Sequence, residues 1–368
     1  MDDTRDLPAV WWLEMVCTPI ITVVGITGNI LTLLVLARRS APTDLPPASM
    51  RFFLMALTIT DSLILLLPCF TSWIIYAISG LVVYNMSETS CRLGIFMVYF
   101  LLQLSPWILS FITIERVLVI VFPVYFFRNP FTLKRAILLF SFTVLLLTML
   151  NAHLLFGMHL KSVNLIPINV TNESWPNITV QVICDSNEKH FVFMYKVWSW
   201  IDFAFAFGLP FLTLVIGNSL IIKTLISHES FRRTRSRRTE ETGRRTSQSK
   251  QWTKVSVFLG LAFVILAMPI GVYQIGVPFW FPKQPDMATR NILKLIRAIL
   301  HLLLYTNSAI NFALYLLCGS SKLRKEFMKP IRKCVFTFCK CARNDIHKSL
   351  DMAETHDTLI QEPRTELQ

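Results

Sequence analysis

Residues 91–123 read CRLGIFMVYFLLQLSPWILSFITIERVLVIVFP, one apolar run with a cysteine at its head and Glu115-Arg116 near its tail. As an α-helix, the stretch from Cys91 to Arg116 rises about 37 Å. The hydrocarbon core of a bilayer is about 30 Å thick. A helix of this length puts Cys91 at one membrane surface and Arg116 at the other. The first end then suits an oxidising space and the second the cytosol.

The rest of the chain agrees. Its 368 residues are 53% hydrophobic and 16% charged, too apolar for a soluble protein of this size. The net charge of +13 does not point to nucleic acid, because the charges fall in short blocks between apolar spans. Seven such spans are expected, at Met15–Ala37, Phe52–Ser79, Leu93–Val121, Ala136–Met158, Phe191–Ile226, Val255–Phe279 and Leu293–Leu317. The opening MDDTRDLP is acidic where a secretory signal starts basic, so the first span is expected to be retained. Segments 38–51, 116–135, 223–254 and 322–364 hold 27 of the 36 Lys and Arg. That bias puts them in the cytosol and the N-terminus outside.

The N-x-S/T pattern occurs at Asn85, Asn169, Asn172 and Asn177, all on the side expected to be extracellular, where glycans are added. Cys91 and Cys184 lie on that side too and can pair. Cys17, Cys69 and Cys318 read as small packing residues near the bilayer. Cys334, Cys339 and Cys341 follow the basic amphipathic segment 320–333. They suit thioester acylation beside the membrane better than a zinc site, which wants a fourth ligand.

Polar residues inside the spans are costly there and therefore informative. Asp61 lies in the second span, Asn29 in the first and Ser105 in the third; Asn307, Ser308 and Asn311 lie in the seventh. Asn307, Asn311 and Tyr315 recur every four residues, on one face of a continuous helix. Together these make a polar core around Asp61. Two readings stay open: a weakly held sodium ion that biases a switch, and a packing network that does not switch. Arg116 likewise is either a restrained functional cation or a helix-end arginine snorkelling to the interface. The spans show no nucleophile–base pair and no metal-ligand cluster, so an enzyme is not expected.

Taken in order, these residues resemble a class A, rhodopsin-like, G-protein-coupled receptor over residues 15–333. Gly28-Asn29, Asp61, the Cys91 and Cys184 pair, Glu115-Arg116-Val117 with Pro123, Phe263, Pro210, Pro269 and Asn311 to Tyr315 resemble the family's motifs at the family's spacing. The resemblance implies an all-α bundle of seven transmembrane helices with a short amphipathic eighth. Residues 1–14 are then an extracellular tail, 15–317 the receptor domain, 318–333 a membrane-parallel helix and 334–368 a cytoplasmic tail. It implies that Glu115 and Arg116 couple to a G protein and that Phe263, Pro269, Asn311 and Tyr315 form the switch. It places ligand contacts at Val98, Tyr99, Asp202, Gln274, Arg297, His301 and Tyr305. Implied partners are an extracellular ligand, a heterotrimeric G protein, arrestin, a receptor kinase and the plasma-membrane bilayer.

The chain departs from the family pattern at Phe312, where a proline is usual, and at Ala267, where a tryptophan is usual. Asn218, Val117 and Ser249 also depart from it, and the fourth span has no tryptophan. Val98 stands where aminergic receptors carry an aspartate, and Tyr305 where opsins carry the retinal lysine. With the long second outer loop, this implies a peptide ligand. Residues 114–116, 311–315 and 318–324 look most like invertebrate neuropeptide receptors of the FMRFamide type. Rival readings are a binding receptor that does not signal and a seven-helix transporter; the latter predicts a repeat and paired ionisable residues.

Overall fold

A computed structural model describes residues 8–38, 46–75, 82–165, 179–233, 240–280, 286–318, 324–325 and 327–329. Seven helices in it are long and apolar enough to cross a membrane: α1 (Pro8–Leu36), α2 (Ala48–Thr71), α3 (Glu88–Ile120), α4 (Leu133–Gly157), α5 (Glu188–Ser227), α6 (Gln251–Val277) and α7 (Met287–Ala309). The expected seven-helix bundle is therefore the fold. Helix α3 is its axis and packs against α2, α4, α5 and α6, while α1 packs against α2 and α7. Exposed apolar side chains such as Val23, Leu138, Phe142, Ile216 and Ile265 are what lipid-facing positions require.

The ends of α3 are set locally. Ser87 caps it: its hydroxyl accepts from the Ser90 amide and the Ser90 hydroxyl accepts from the Ser87 amide, both at 3.0 Å. Glu88 adds negative charge at the helix N-terminus. This cap starts the helix at Glu88, three residues before Cys91. Between α4 and α5 runs an antiparallel hairpin of β1 (Met158–Leu165) and β2 (Thr179–Ser186), with Leu160 opposite Cys184.

The helices differ from the sequence expectation where backbone bonds are lost. Helix α1 begins at Pro8, upstream of Met15, so Glu14 lies inside it. Helix α2 widens into π-type turns over Leu65–Ile75, around Pro68, which has no amide hydrogen to donate. The sixth helix runs Glu240–Leu266 and resumes at Met268–Trp280. The break at Ala267 lies two residues before Pro269, whose ring excludes a regular turn. The seventh breaks at Ile310 and resumes at Asn311–Cys318. Of the expected eighth helix, 324–325 and 327–329 are helical; Cys334, Cys339 and Cys341 lie outside the described residues.

In lipid, apolar burial does not drive helices together; close backbone approach and hydrogen bonds do. Gly25 shows the approach. A Cβ there would lie 2.5 Å from Leu65 Cδ1, 2.7 Å from Ala309 Cβ and 3.0 Å from Ala309 Cα. Gly25→Ala is therefore expected to cost ~1–3 kcal/mol by overpacking. Ala309→Gly should recover part of that loss in a double mutant. Thermal unfolding of the purified chain measures both, and an additive double mutant would refute the contact.

Candidate functional site

Three clusters lie along α3. The middle one surrounds Asp61, which is 1% exposed. Ser105 Oγ donates to its Oδ1 at 2.8 Å and Asn311 Nδ2 to its Oδ2 at 2.5 Å. The Ser308 side chain faces the same carboxylate, and Asn29 Nδ2 donates to the Ser308 carbonyl at 3.4 Å. One carboxylate thus ties α2 to α3 and to the seventh helix, and Asn29 adds α1. Asn29 Oδ1 is buried with no hydrogen-bond partner among the described residues. A carboxylate with hydroxyl and amide oxygens suits a hard cation such as sodium.

Two details of the expected core change. Asn307 is half-buried and sends no hydrogen bond to Asp61. The break at Ile310 separates it from Asn311, so Asn307, Asn311 and Tyr315 do not line one continuous helix. Asn311 opens the new helical segment and reaches Asp61 from there. Tyr315 is 2% exposed, and its phenol faces Thr58.

The second cluster is at the far end of α3. Arg116 and Glu115 are 2% and 1% exposed. Burial excludes the snorkelling reading of Arg116. Its Nη2 lies 3.5 Å from Glu115 Oε1, which also accepts from Ser49 Oγ at 2.8 Å. Arg116 Nε and Nη2 and Glu115 Oε2 have no hydrogen-bond partner among the described residues. The pair is therefore loose, and the guanidinium holds donors in reserve. The sequence reading missed Ser49; its only signal is a small polar residue at the start of α2.

The third cluster is at the Cys91 end. Cys91 and Cys184 form a disulfide that fastens the hairpin to α3. The Cys184 amide also donates to Asn85 Oδ1 at 2.8 Å. Asn85 is half-buried, and this bond engages its Oδ1 rather than the Nδ2 to which a glycan would be attached. Asn169, Asn172 and Asn177 lie outside the described residues.

Below the hairpin, Tyr99 packs edge-on against Trp198, with centroids 5.9 Å apart. Asp202 accepts from Gln103 Nε2 at 2.9 Å, and Gln103 Oε1 accepts from Asn151 Nδ2 at 2.7 Å. This chain links α5, α3 and α4, and the sequence reading missed Gln103 and Asn151; uncharged amides inside apolar spans were its only signal. Arg297 is exposed and lies within electrostatic reach of Glu14, Tyr99, Tyr273 and His301. His301 donates from Nδ1 to the Arg297 carbonyl at 2.8 Å. Val98 is half-buried and Gln274 is exposed. Tyr305 differs from the expectation: it is 4% exposed and packs with Ile64, Leu65, Cys69 and Leu101, so it belongs to the core rather than to an open cleft. Phe263 is buried as well, one turn before the break at Ala267.

The sequence matches the family described as 7 transmembrane receptor (rhodopsin family) over residues 28–315. No curated protein matches it.

Proposed function

The chain belongs to the rhodopsin family of seven-transmembrane receptors, and we propose that it is a plasma-membrane receptor, N-terminus outside, that answers an extracellular peptide by activating a heterotrimeric G protein. The observation that carries this reading is Arg116, a fully buried guanidinium with unused donors, held loosely by Glu115 at the end of α3 opposite the disulfide. A buried cation without full pairing is costly. It is tolerable where a second arrangement of the helices gives it an acceptor.

In the resting arrangement Glu115, itself held by Ser49, restrains Arg116. A ligand at the Cys91 end shifts the population by binding the second arrangement more tightly. The break at Ala267 and Pro269 lets the cytosolic part of the sixth helix swing outward as a rigid piece. Arg116 then faces a cleft that admits the G protein. Arrestin and a receptor kinase would act on the Ser and Thr of 246–249 and 349–365. The peptide assignment is supported by Val98, which offers no charge to a small amine, and by the long loop carrying the hairpin.

Sodium at Asp61, resting on Ser105, Ser308 and Asn311, would favour the resting state. Asp61→Asn is then expected to abolish the effect of sodium on agonist binding, measured by competition binding with and without the ion. Unchanged sodium sensitivity would leave the network a purely structural one.

The function is tested by G-protein dissociation in cells expressing the full chain. One arm applies a pool of amidated neuropeptides and the other a pool of amines and lipids. A peptide response supports the whole reading. A response to amines or lipids alone overturns the ligand class. Silence with proven surface expression favours a binding receptor that does not signal.

A further inference from the structure

Asp202 is the carboxylate that the signalling mechanism leaves unused. It sits on α5, half-buried, in the half of the bundle below the hairpin. It is aimed by a relay rather than by a counter-ion. Asn151, 0% exposed, donates to Leu147 O at 2.8 Å and to Gln103 Oε1 at 2.7 Å; Gln103, also 0% exposed, donates to Asp202 Oδ1 at 2.9 Å. Fixed amides on two neighbouring helices thus hold Oδ1, and no described side chain donates a hydrogen bond to the other carboxylate oxygen.

No described cation answers it. Among the described residues, no Lys, Arg or His nitrogen comes within 4.0 Å of Asp202. Arg297, an exposed cation of this half, acts electrostatically on Glu14 and Tyr99, and Asp202 also acts on Tyr99. If Asp202 served only to accept from Gln103, an asparagine would do so without carrying charge into a low-dielectric interior. A carboxylate held rigid from behind, with no described cation to pair it, is the chemistry that receives an ammonium or guanidinium.

We infer that the ligand of this cleft carries a cationic group, a primary amine or a guanidinium, and that Asp202 receives it with Tyr99 as the adjoining wall. The inference rests on the reading of the Cys91 half as a ligand cleft. Gln103 and Asn151 are positioning residues: they touch Asp202 and each other, not the ligand. Val98 and Asp202 then divide the specificity. The α3 position that is often charged is apolar here, and the charge is presented from α5.

The test uses the purified full chain and two probes of nearly the same shape, Nα-acetyl-L-arginine amide, which carries a guanidinium, and Nα-acetyl-L-citrulline amide, which carries no charge. Thermal unfolding is followed as each is raised through the millimolar range. The arginine probe is expected to raise the melting temperature saturably, because a ligand of the folded state stabilises it by mass action; the citrulline probe is not. Asp202→Asn, which keeps an acceptor for Gln103, is expected to abolish the shift, and Gln103→Leu to move its half-saturation at least threefold higher. Equal shifts from both probes, no shift from either, or a shift that survives in Asp202→Asn would overturn the inference. If Asp202→Asn does not fold, the comparison of probes on the unmutated chain still decides it. Signalling is a separate readout. Binding of the arginine probe through Asp202 with no G-protein response would overturn the signalling reading alone, and responses to uncharged peptides with Asp202 dispensable would overturn this inference alone.

Discussion

Arg116→Ala is expected to abolish agonist-driven G-protein dissociation or to reduce agonist potency by roughly 100-fold or more, while the chain still reaches the surface. Truncating one partner of a buried, hydrogen-bonded charge pair at an interface costs ~2–5 kcal/mol, and each ~1.4 kcal/mol is tenfold. The proposed active arrangement gives the unused Nε and Nη2 donors their acceptors, so their loss falls on that state. The substitution also strips Glu115 of the one cation paired with it among the described residues, at 3.5 Å, and leaves it to Ser49. A fall in expression would therefore be ambiguous. The double variant Arg116→Ala with Glu115→Gln removes both buried charges and separates the two causes: it should restore expression and remain silent. Glu115→Gln alone should act in the opposite sense and raise basal dissociation, since the restraint on Arg116 weakens. A signalling Arg116→Ala receptor at normal surface level would sink the proposed mechanism.

Cys184→Ala is expected to cost ~2–5 kcal/mol, the usual range for a native disulfide. Cys91 and Cys184 are separated by 93 positions. Breaking the link frees a long loop in the folded chain and enlarges the unfolded ensemble. Cys91 also lies fully buried against Leu154, Met158 and Trp198, so the damage reaches the aromatic wall that includes Tyr99. The melting temperature of the purified chain should fall, and a reductant should lower it in the parent chain but not further in Cys184→Ala. The buried thiol Cys69, which contacts Thr22 Oγ1 at 3.3 Å, is no part of this link, and replacing it should leave the reductant effect intact. A parent chain whose stability ignores the reductant would refute the role given to the bridge.

Much of this architecture was legible in the chain because a bilayer constrains sequence so tightly. Every backbone group must be bonded within its own helix, which demands about twenty apolar residues per crossing. Seven runs of that kind announce seven helices. Asp61 was legible for the complementary reason: a carboxylate stands out in an apolar run. Arg116 was legible by its distance from Cys91.

What escaped the reading depends on which helix faces which. Ser49, Gln103 and Asn151 are ordinary polar residues one at a time. Only the packing of α3 on α2, α4 and α5 brings Ser49 to Glu115 and lines up Asn151, Gln103 and Asp202. Glu14 escaped because the first helix begins earlier than hydropathy suggested. The single face expected for Asn307, Asn311 and Tyr315 failed because periodicity assumes an unbroken helix, and the turn at Ile310 breaks it. Tyr305 shows the same limit, since a tyrosine's place in the core or in a cleft is set by its neighbours across the bundle. Span number, span length and the positions of the isolated charges are properties of one strand of residues against lipid, and the sequence by itself determined them. The partner of each buried polar group is a property of several helices at once, and only the tertiary structure decided it.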